Sequence, residues 1–142
     1  MKLAHILLVE DNEGDIVLTK EAFEDSKIKT NFSVVKNGKD AIDFVFKTGK
    51  YTDVKRPDLI LLDINIPIIN GFEVLKRLKM DELSRRIPVI MFTTSSATKD
   101  INLSYDNFAN SYVTKPLDMD EFMDVVLKIE DFWLELVKLP AD

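Results

Sequence analysis

The sequence contains no cysteine and only one histidine, His5. Disulfide bonds, thiol catalysis and cysteine-ligated zinc are therefore excluded. Apolar runs are also short, and one such as residues 59–62 cannot span a bilayer. The apolar stretch at residues 6–9 is interrupted by Glu10 and Asp11, so it does not have the length of a signal peptide. We expect a cytoplasmic protein.

Positive charge is in the minority, because 19 lysines and arginines stand against 25 aspartates and glutamates, a formal net charge of -6. A chain of this charge repels phosphate backbones, and we predict that it does not bind nucleic acid. One basic group could override that average: Lys76, Arg77, Lys79, Arg85 and Arg86. Its spacing is more typical of the solvated face of a helix and the turn that follows it.

The length of 142 residues fits one ordinary domain with its own core. A content of 46% hydrophobic and 31% charged residues is typical of a globular chain. No repeat or low-complexity linker divides it. We therefore expect a single domain over residues 1–142 and, with no residues after Asp142, no attached output domain.

Three continuous apolar segments have the length of strands that are buried on both faces of a parallel sheet: residues 6–9, 59–62 and 89–92. Two more polar segments, residues 31–36 and 111–114, are typical of sheet edges. Placing the apolar strands in the centre and the polar ones at the edges favours the flavodoxin-like strand order 2-1-3-4-5.

Apolar residues at helical spacing separate these strands. The clearest helix is the last, from about Asp118 to Val137, and four others are predicted around residues 16–23, 41–46, 72–78 and 97–108. Regular alternation of strands and helices predicts an α/β fold: a doubly wound, five-stranded parallel sheet with five helices.

Acidic side chains follow two of the central strands. Glu10 and Asp11 come directly after the first strand, and Asp63 follows the third. In the predicted order these two strand ends flank the point where ligands bind to open α/β sheets. Three carboxylates placed together repel one another, and a hard divalent cation removes that conflict. The sequence therefore predicts a site for Mg²⁺, or for Mn²⁺ in its place.

A hydroxyl and an ammonium group are expected at the same edge, because Thr93 ends the fourth strand and Lys115 follows the fifth. An acidic metal site that faces these two groups is a layout for phosphoryl transfer. The metal and the ammonium share the charge of the transferred group, while an aspartate supplies the attacking oxygen.

Five segments together resemble the receiver domain of two-component response regulators. They are ILLVEDN at residues 6–12, LLDINIP at 61–67, NG at 70–71, PVIMFT at 88–93 and YVTKP at 112–116. They occur in the family's order and spacing and cover nearly the whole chain. The resemblance implies a stand-alone response regulator, which accepts a phosphoryl group from a sensor histidine kinase and signals through protein contacts.

The resemblance also implies a metal set. Asp63 would be the phosphoacceptor, and Asp11, Asp63 and the backbone carbonyl of Asn65 would bind the metal. Glu10 would complete the acidic pocket through a bound water. The protein would not be an enzyme in the usual sense, but a phosphoacceptor that assists its own phosphorylation and dephosphorylation.

For the phosphorylated state, the resemblance implies that the Lys115 ammonium pairs with the phosphoryl group. It also implies that the peptide bond between Lys115 and Pro116 is cis. Thr93 would close its hydroxyl onto the group, and Tyr112 would then swing inward behind it. A charge change at the site would thus alter a distant surface.

A closer resemblance is to the small receivers that partner phytochrome-type sensor kinases. It rests on the insert at residues 49–57, the TTSS run at 93–96 and the ending FWLELVKLP at 132–140. The downstream partner would be either a target protein or a phosphotransfer protein.

Residues in these motifs argue against two other functions. An aspartate-nucleophile phosphatase would carry a second aspartate where this chain has Asn65, and a flavin module would need a hydroxyl- and glycine-rich loop in place of Glu10 and Asp11. Both are rejected. A receiver-shaped scaffold that works without phosphorylation remains an alternative, although the intact pocket argues against it.

The last helix carries more apolar residues than one buried face can hold. The surplus favours a homodimer through Phe132, Trp133 and Leu136, whereas the alternative is a tail that folds back on its own domain. Elsewhere, Phe108 stands where the family has a glycine, so we expect Asn107 or Asn110 to take the left-handed conformation. His5 is expected at a surface or sheet edge.

Overall fold

Five parallel strands form one sheet in the computed structural model, which describes residues 3–141. The strands are β1 (Ala4–Val9), β2 (Thr30–Val35), β3 (Leu59–Leu62), β4 (Val89–Thr93) and β5 (Ser111–Thr114). They lie in the order β2-β1-β3-β4-β5. The predicted order is confirmed, and so is every predicted strand, with small changes at the ends of three.

Within the described residues, five α-helices connect and cover the strands. They are α1 (Glu13–Asp25), α2 (Gly38–Phe46), α3 (Gly71–Met80), α4 (Thr98–Asp106) and α5 (Met119–Glu130). Four of them begin at an Asn or Asp whose side chain accepts the N–H of the residue three positions on: Asn12, Asn37, Asn70 and Asp118. Such caps fix where each helix starts. None of the helices between residues 3 and 141 is long and apolar enough to cross a membrane.

The sheet is buried on both faces because successive strand residues point to opposite sides. Leu7, Ile60 and Leu62 belong to one core cluster, which includes residues of α2 and α3. Leu8 and Leu61 belong to the other, which includes residues of α1 and α5. This two-sided burial explains why the central strands are continuously apolar.

His5 is a core residue, so the prediction of a surface or edge histidine was wrong. It is only 5% exposed, since β1 pairs with β2 on one side and with β3 on the other. Its ring Nε2 lies 2.8 Å from the Ser33 hydroxyl, and its ring lies 5.7 Å from that of Phe44. Burial lowers the pKa of His5, so the ring contributes packing rather than charge.

The left-handed residue after α4 is Phe108 itself, with φ of 69°, and not Asn107 or Asn110 as predicted. Asn110 is used elsewhere, because its side-chain oxygen accepts the backbone N–H of Val89 and the ammonium of Lys79. Asn107 keeps a φ of -97°. Phe108 therefore carries the backbone strain that a glycine would avoid.

Four of the five basic residues are exposed on α3 and the turn after it, as predicted for a solvated face, and Lys79 is the exception. Lys79 turns back to the protein, where its ammonium donates to the carbonyls of Arg85 and Ile87 at 3.1 and 2.9 Å. Arg77 faces Glu73 on the same helix, with its Nε 3.4 Å from the carboxylate. That the chain does not bind nucleic acid stays a prediction, and it rests on the net charge of -6.

The last helix changes character near its end. After Glu130 the chain forms a π-helical segment, Asp131–Leu136, closed by a bond from the Val137 N–H to the Phe132 carbonyl. Trp133 and Leu134 pack against the core that contains α1 and α5. The tail thus folds partly onto its own domain, and the exposed apolar surplus is smaller than the sequence predicts.

At the junction of α5 and this segment, Glu130 is fully buried, at 0% exposure. Neither of its carboxylate oxygens has a hydrogen-bond partner among the described residues. The pKa of Glu130 is raised to about 7, chiefly by burial; the Ser26 side chain opposes the rise, and the charges of Asp131 and Glu135 add to it. A buried, unpaired carboxylate costs free energy when it is ionised.

We predict that Glu130→Gln stabilises the protein at pH 8. Because the folded-state pKa lies above the unfolded value, the folded carboxyl holds its proton up to about pH 7, and stability falls as pH rises from about 4.5 through 7. Glu130→Gln removes that loss, a gain of about 2 kcal/mol at pH 8 that shrinks toward pH 5.

The measurement is urea unfolding of both proteins at pH 5 and pH 8. Glu82→Gln, at an exposed position in the turn after α3, is the matched control and should show no such pH-dependent gain. Equal stability of the Glu130→Gln variant and the parent protein at pH 8 would contradict the prediction.

Candidate functional site

The predicted site residues meet at the carboxyl edge of the sheet, because parallel strands bring their ends together. Asp63 continues β3 past its end, with its N–H bonded to the Val9 carbonyl at 3.1 Å. Lys115 continues β5 in the same way, with its N–H bonded to the Thr93 carbonyl at 2.7 Å. Main-chain hydrogen bonds therefore fix the backbone positions of Asp63 and Lys115.

Three carboxylates gather at this edge, as predicted. Oxygens of Glu10, Asp11 and Asp63 all lie within 4.8 Å of one another. Glu10 and Asp63 are buried, whereas Asp11 is exposed. One oxygen of Glu10 accepts the N–H groups of Asp11 and Asn12 at 3.0 and 3.1 Å, which shapes the loop after β1. The donor set, all hard oxygens, fits a divalent ion such as Mg²⁺ or Mn²⁺.

The buried ammonium of Lys115 donates hydrogen bonds to three carboxylates. Its Nζ lies 3.0 Å from Asp63, donates to Glu10, and lies 2.9 Å from Asp15. Asp15 is absent from the sequence-based prediction. The signal that could have found it is its place in the first turn of α1, three residues after the cap Asn12, since that turn begins at the same sheet edge.

Negative charge exceeds positive charge among the side chains of this cluster. Burial lowers the pKa of Lys115, but the hydrogen bond and charge of Glu10, followed by Asp63 and Asp15, raise it more, so the ammonium is held above its usual range. Burial raises the pKa of Glu10 and the charge of Asp63 raises it further, while Lys115 opposes both effects. One lysine does not neutralise four carboxylates, which favours a bound cation.

Thr93 is fully buried, and its hydroxyl has no hydrogen-bond partner among the described residues. Buried polar groups in native proteins are nearly always paired, so an unpaired hydroxyl at this edge calls for a ligand.

Tyr112 is half-buried and packs against the core that contains α2 and α3. Its hydroxyl donates to the carbonyl of Ser95 at 2.9 Å, two residues after Thr93. The Ser95 hydroxyl in turn donates to Asp100 in α4 at 2.6 Å. Thr93 and Tyr112 are therefore joined through one short loop.

Residues 6–127 match the family described as the response regulator receiver domain. The chain belongs to this family. Over 136 residues it is 40% identical to response regulator Rcp1 of Synechocystis, an alignment that covers 96% of this chain and 92% of Rcp1. The family predicted from the five motifs is confirmed.

Two solved receiver structures agree closely with this fold. The phosphorylated cyanobacterial phytochrome response regulator RcpA has a TM-score of 0.96 and 40% identity, and the match covers 99% of this chain and 100% of that chain. The Mn²⁺-bound form of Rcp1 has a TM-score of 0.94 and 40% identity, over 97% and 99% of the two chains. The predicted likeness to receivers of phytochrome systems is thereby confirmed.

One detail of the predicted receiver site is wrong and another stays a prediction. The Lys115–Pro116 bond is trans, not cis as the family resemblance implied. The trans form is the intrinsically favoured one even before proline. The backbone carbonyl of Asn65, on the exposed loop after Asp63, remains the predicted additional metal ligand.

The loop after Asp63 is held by two glycines at which a side chain cannot fit. A Cβ on Gly71 would lie 2.2 Å from the Asp63 carbonyl oxygen, and a Cβ on Gly38 would lie 1.9 Å from that of Ile69. The Gly71 N–H bonds to the Ile64 carbonyl at 2.8 Å. The start of α3 therefore packs directly against the backbone of Asp63.

We predict that Gly71→Ala destabilises the receiver by about 2 kcal/mol or more, because the new methyl group must displace the Asp63 backbone. Gly14→Ala is the matched control, since its Cβ would meet only the Asn12 side chain at 3.3 Å. Urea unfolding of both variants measures the difference. A Gly71→Ala variant as stable as Gly14→Ala would contradict the predicted close packing.

Proposed function

We propose that this receiver accepts a phosphoryl group from a sensor histidine kinase on Asp63, in a reaction that depends on Mg²⁺. One observation carries the proposal: the Asp63 carboxylate lies 3.0 Å from the buried Lys115 ammonium, within a cluster of carboxylates suited to a divalent ion.

In the proposed reaction, an Asp63 oxygen attacks phosphorus while the bond from phosphorus to the donor breaks, and the leaving group takes that electron pair. Lys115 pairs with the phosphoryl oxygens, and the free hydroxyl of Thr93 donates to one of them. A divalent ion would be held by Asp11, Asp63 and the Asn65 carbonyl, with Glu10 beside them. When bound, it would neutralise the charge that builds up on the phosphoryl group.

The protein supplies these groups for its own modification. Asp63 is consumed as the acceptor and regenerated on hydrolysis, so the receiver assists its own phosphorylation and dephosphorylation without being an enzyme for another substrate. We expect this cycle to run in the cytoplasm.

The output would pass through Thr93 and Tyr112. When Thr93 donates to the phosphoryl group, it would shift the loop that follows it. That loop carries the Ser95 carbonyl, which accepts the Tyr112 hydroxyl. The phosphorylated state would thus favour the packed position of Tyr112 and the arrangement of α4 that accompanies it. A downstream protein or a phosphotransfer partner would recognise that surface.

Exposed apolar side chains near the site support docking of a partner. Leu117, two residues after Lys115, is 97% exposed, and Ile68, five residues after Asp63, is also exposed. A phytochrome-type sensor histidine kinase is the proposed phosphoryl donor, in keeping with the named role of the phytochrome response regulator RcpA.

We predict that incubation with acetyl phosphate and Mg²⁺ adds the mass of one phosphoryl group to the intact protein. Asp63→Asn should abolish the addition because it removes the attacking oxygen, and EDTA should prevent it by removing the metal. Asp53→Asn, at an exposed loop position, is the control and should react like the parent protein.

Intact mass spectrometry with and without each component gives the answer. If the parent protein gains no mass, or if Asp63→Asn gains the same mass, phosphorylation at Asp63 is refuted. A scaffold that works without phosphorylation would then be the better account.

We also propose a homodimer through the last helix. Phe132 and Leu136 are 49% and 72% exposed, and they line a shallow recess together with Lys128, Asp131 and Glu135. Trp133, named with them in the prediction, instead packs on its own core and meets the Phe132 ring edge-on at 5.4 Å. Trp133 would therefore support the interface from behind rather than enter it.

We predict a dimer of twice the 16.3 kDa chain mass in multi-angle light scattering at micromolar concentration. Leu136→Glu should shift it to monomer, because a charge in an apolar interface is costly. Met80→Glu, which changes an exposed apolar residue at the end of α3, is the control. A parent protein that stays monomeric with and without phosphorylation would exclude the dimer.

A further inference from the structure

Lys115 has three N–H donors on its ammonium, and three carboxylates take them. Asp63 is the proposed acceptor, and Glu10 belongs to the acidic cluster that would border the metal. The third, Asp15, lies 2.9 Å from the ammonium and belongs to neither the acceptor nor the acidic cluster. It is the one partner of Lys115 for which the proposed reaction has no use.

The backbone of Asp15 is fixed by two hydrogen bonds, one at its N–H and one at its carbonyl. Its N–H donates to the Asn12 side chain at 2.9 Å, which is the cap of α1. Its carbonyl accepts the hydroxyl of the buried Thr19 at 2.7 Å. The side chain is itself only 24% exposed. Asp15 thus presents its carboxylate from a fixed turn rather than from a mobile loop.

The other two partners change during the proposed reaction. Asp63 becomes an acyl phosphate when its oxygen bonds to phosphorus, and its negative charge passes to the phosphoryl oxygens. Glu10 stands among the oxygens that would surround the metal, so its hold on Lys115 is shared with that ion. Asp15 takes part in neither change, so we expect its contact with the ammonium to be the same before and after transfer.

We propose that Asp15 is a positioning residue that anchors the Lys115 ammonium against the phosphoryl group on Asp63. The inference rests on the proposed function and deepens it. Lys115 follows an edge strand and reaches the site through a long, flexible side chain, so a fixed acceptor on α1 restricts where its ammonium can lie. A cation aligned in advance stabilises the transferring group better than one that must be ordered in each reaction.

The test compares Asp15→Ala with Asp15→Asn in phosphorylation by acetyl phosphate at saturating donor and Mg²⁺. In this reaction the bond from phosphorus to the acetate oxygen breaks, and acetate leaves with the electron pair. Asp15→Ala removes the acceptor for Lys115 and should slow transfer about tenfold, whereas Asp15→Asn keeps an acceptor oxygen and should stay within about threefold of the parent.

Glu13→Ala is the matched control, since Glu13 is an exposed carboxylate in the same helical turn that contacts Lys36 instead. It should react at the parent rate. Transfer in Asp15→Ala as fast as in Glu13→Ala would overturn the inference. So would an Asp15→Asn variant as slow as Asp15→Ala, because charge or folding, and not the hydrogen bond, would then explain the effect.

A second readout needs neither metal nor phosphoryl donor. A buried ammonium with three acceptors exchanges its hydrogens slowly, so the Lys115 side chain should give an NH₃⁺ signal in ¹⁵N NMR spectra of the parent protein. The signal should broaden in Asp15→Ala and persist in Asp15→Asn and Glu13→Ala. An unchanged signal in Asp15→Ala would overturn the anchoring, whereas a parent protein that gains no phosphoryl group would refute only the proposed function.

Discussion

The buried contact between one ammonium and several carboxylates governs the carboxyl edge of this sheet. Lys115 follows an edge strand, whereas Asp63 and Glu10 follow central strands and Asp15 belongs to a helix, so the contact joins four separate parts of the chain. Such charges are tolerated away from water only when each is paired. The remaining negative charge at this edge favours a divalent cation, which would in turn offset the charge of a phosphoryl group in the proposed reaction.

The scaffold holds this cluster with main-chain contacts rather than with side chains. Backbone bonds continue the sheet through Asp63 and Lys115, and the close approach of Gly71 places the start of α3 against the acceptor. Because these contacts involve no titratable group, they can stay unchanged while the charge of the site changes. A rigid frame around a variable charge is what a receiver requires if phosphorylation is to alter only selected loops.

Those loops lie on the side of β4 and β5. Within residues 3–141 the Thr93 hydroxyl has no hydrogen-bond partner, and Tyr112 reaches the same loop through the Ser95 carbonyl, so a ligand that engages Thr93 would act on a segment that is bonded to Tyr112. At the far end of α5, the buried carboxyl of Glu130 opposes folding when it is ionised.

The strands, their order and the sheet edge that carries the site follow from the amino-acid sequence. Continuous apolar runs mark strands that are covered on both faces, and the polar residue that follows each run falls at the shared edge because the strands are parallel. The partners of Lys115 follow only from the tertiary fold: Asp15 is 100 positions away, and no local pattern reports where the first turn of α1 lies relative to the residue after β5. The burial of His5, the left-handed Phe108 and the π-helical ending were equally beyond the sequence. Each depends on what neighbouring elements leave room for, and packing of that kind is a property of the assembled chain.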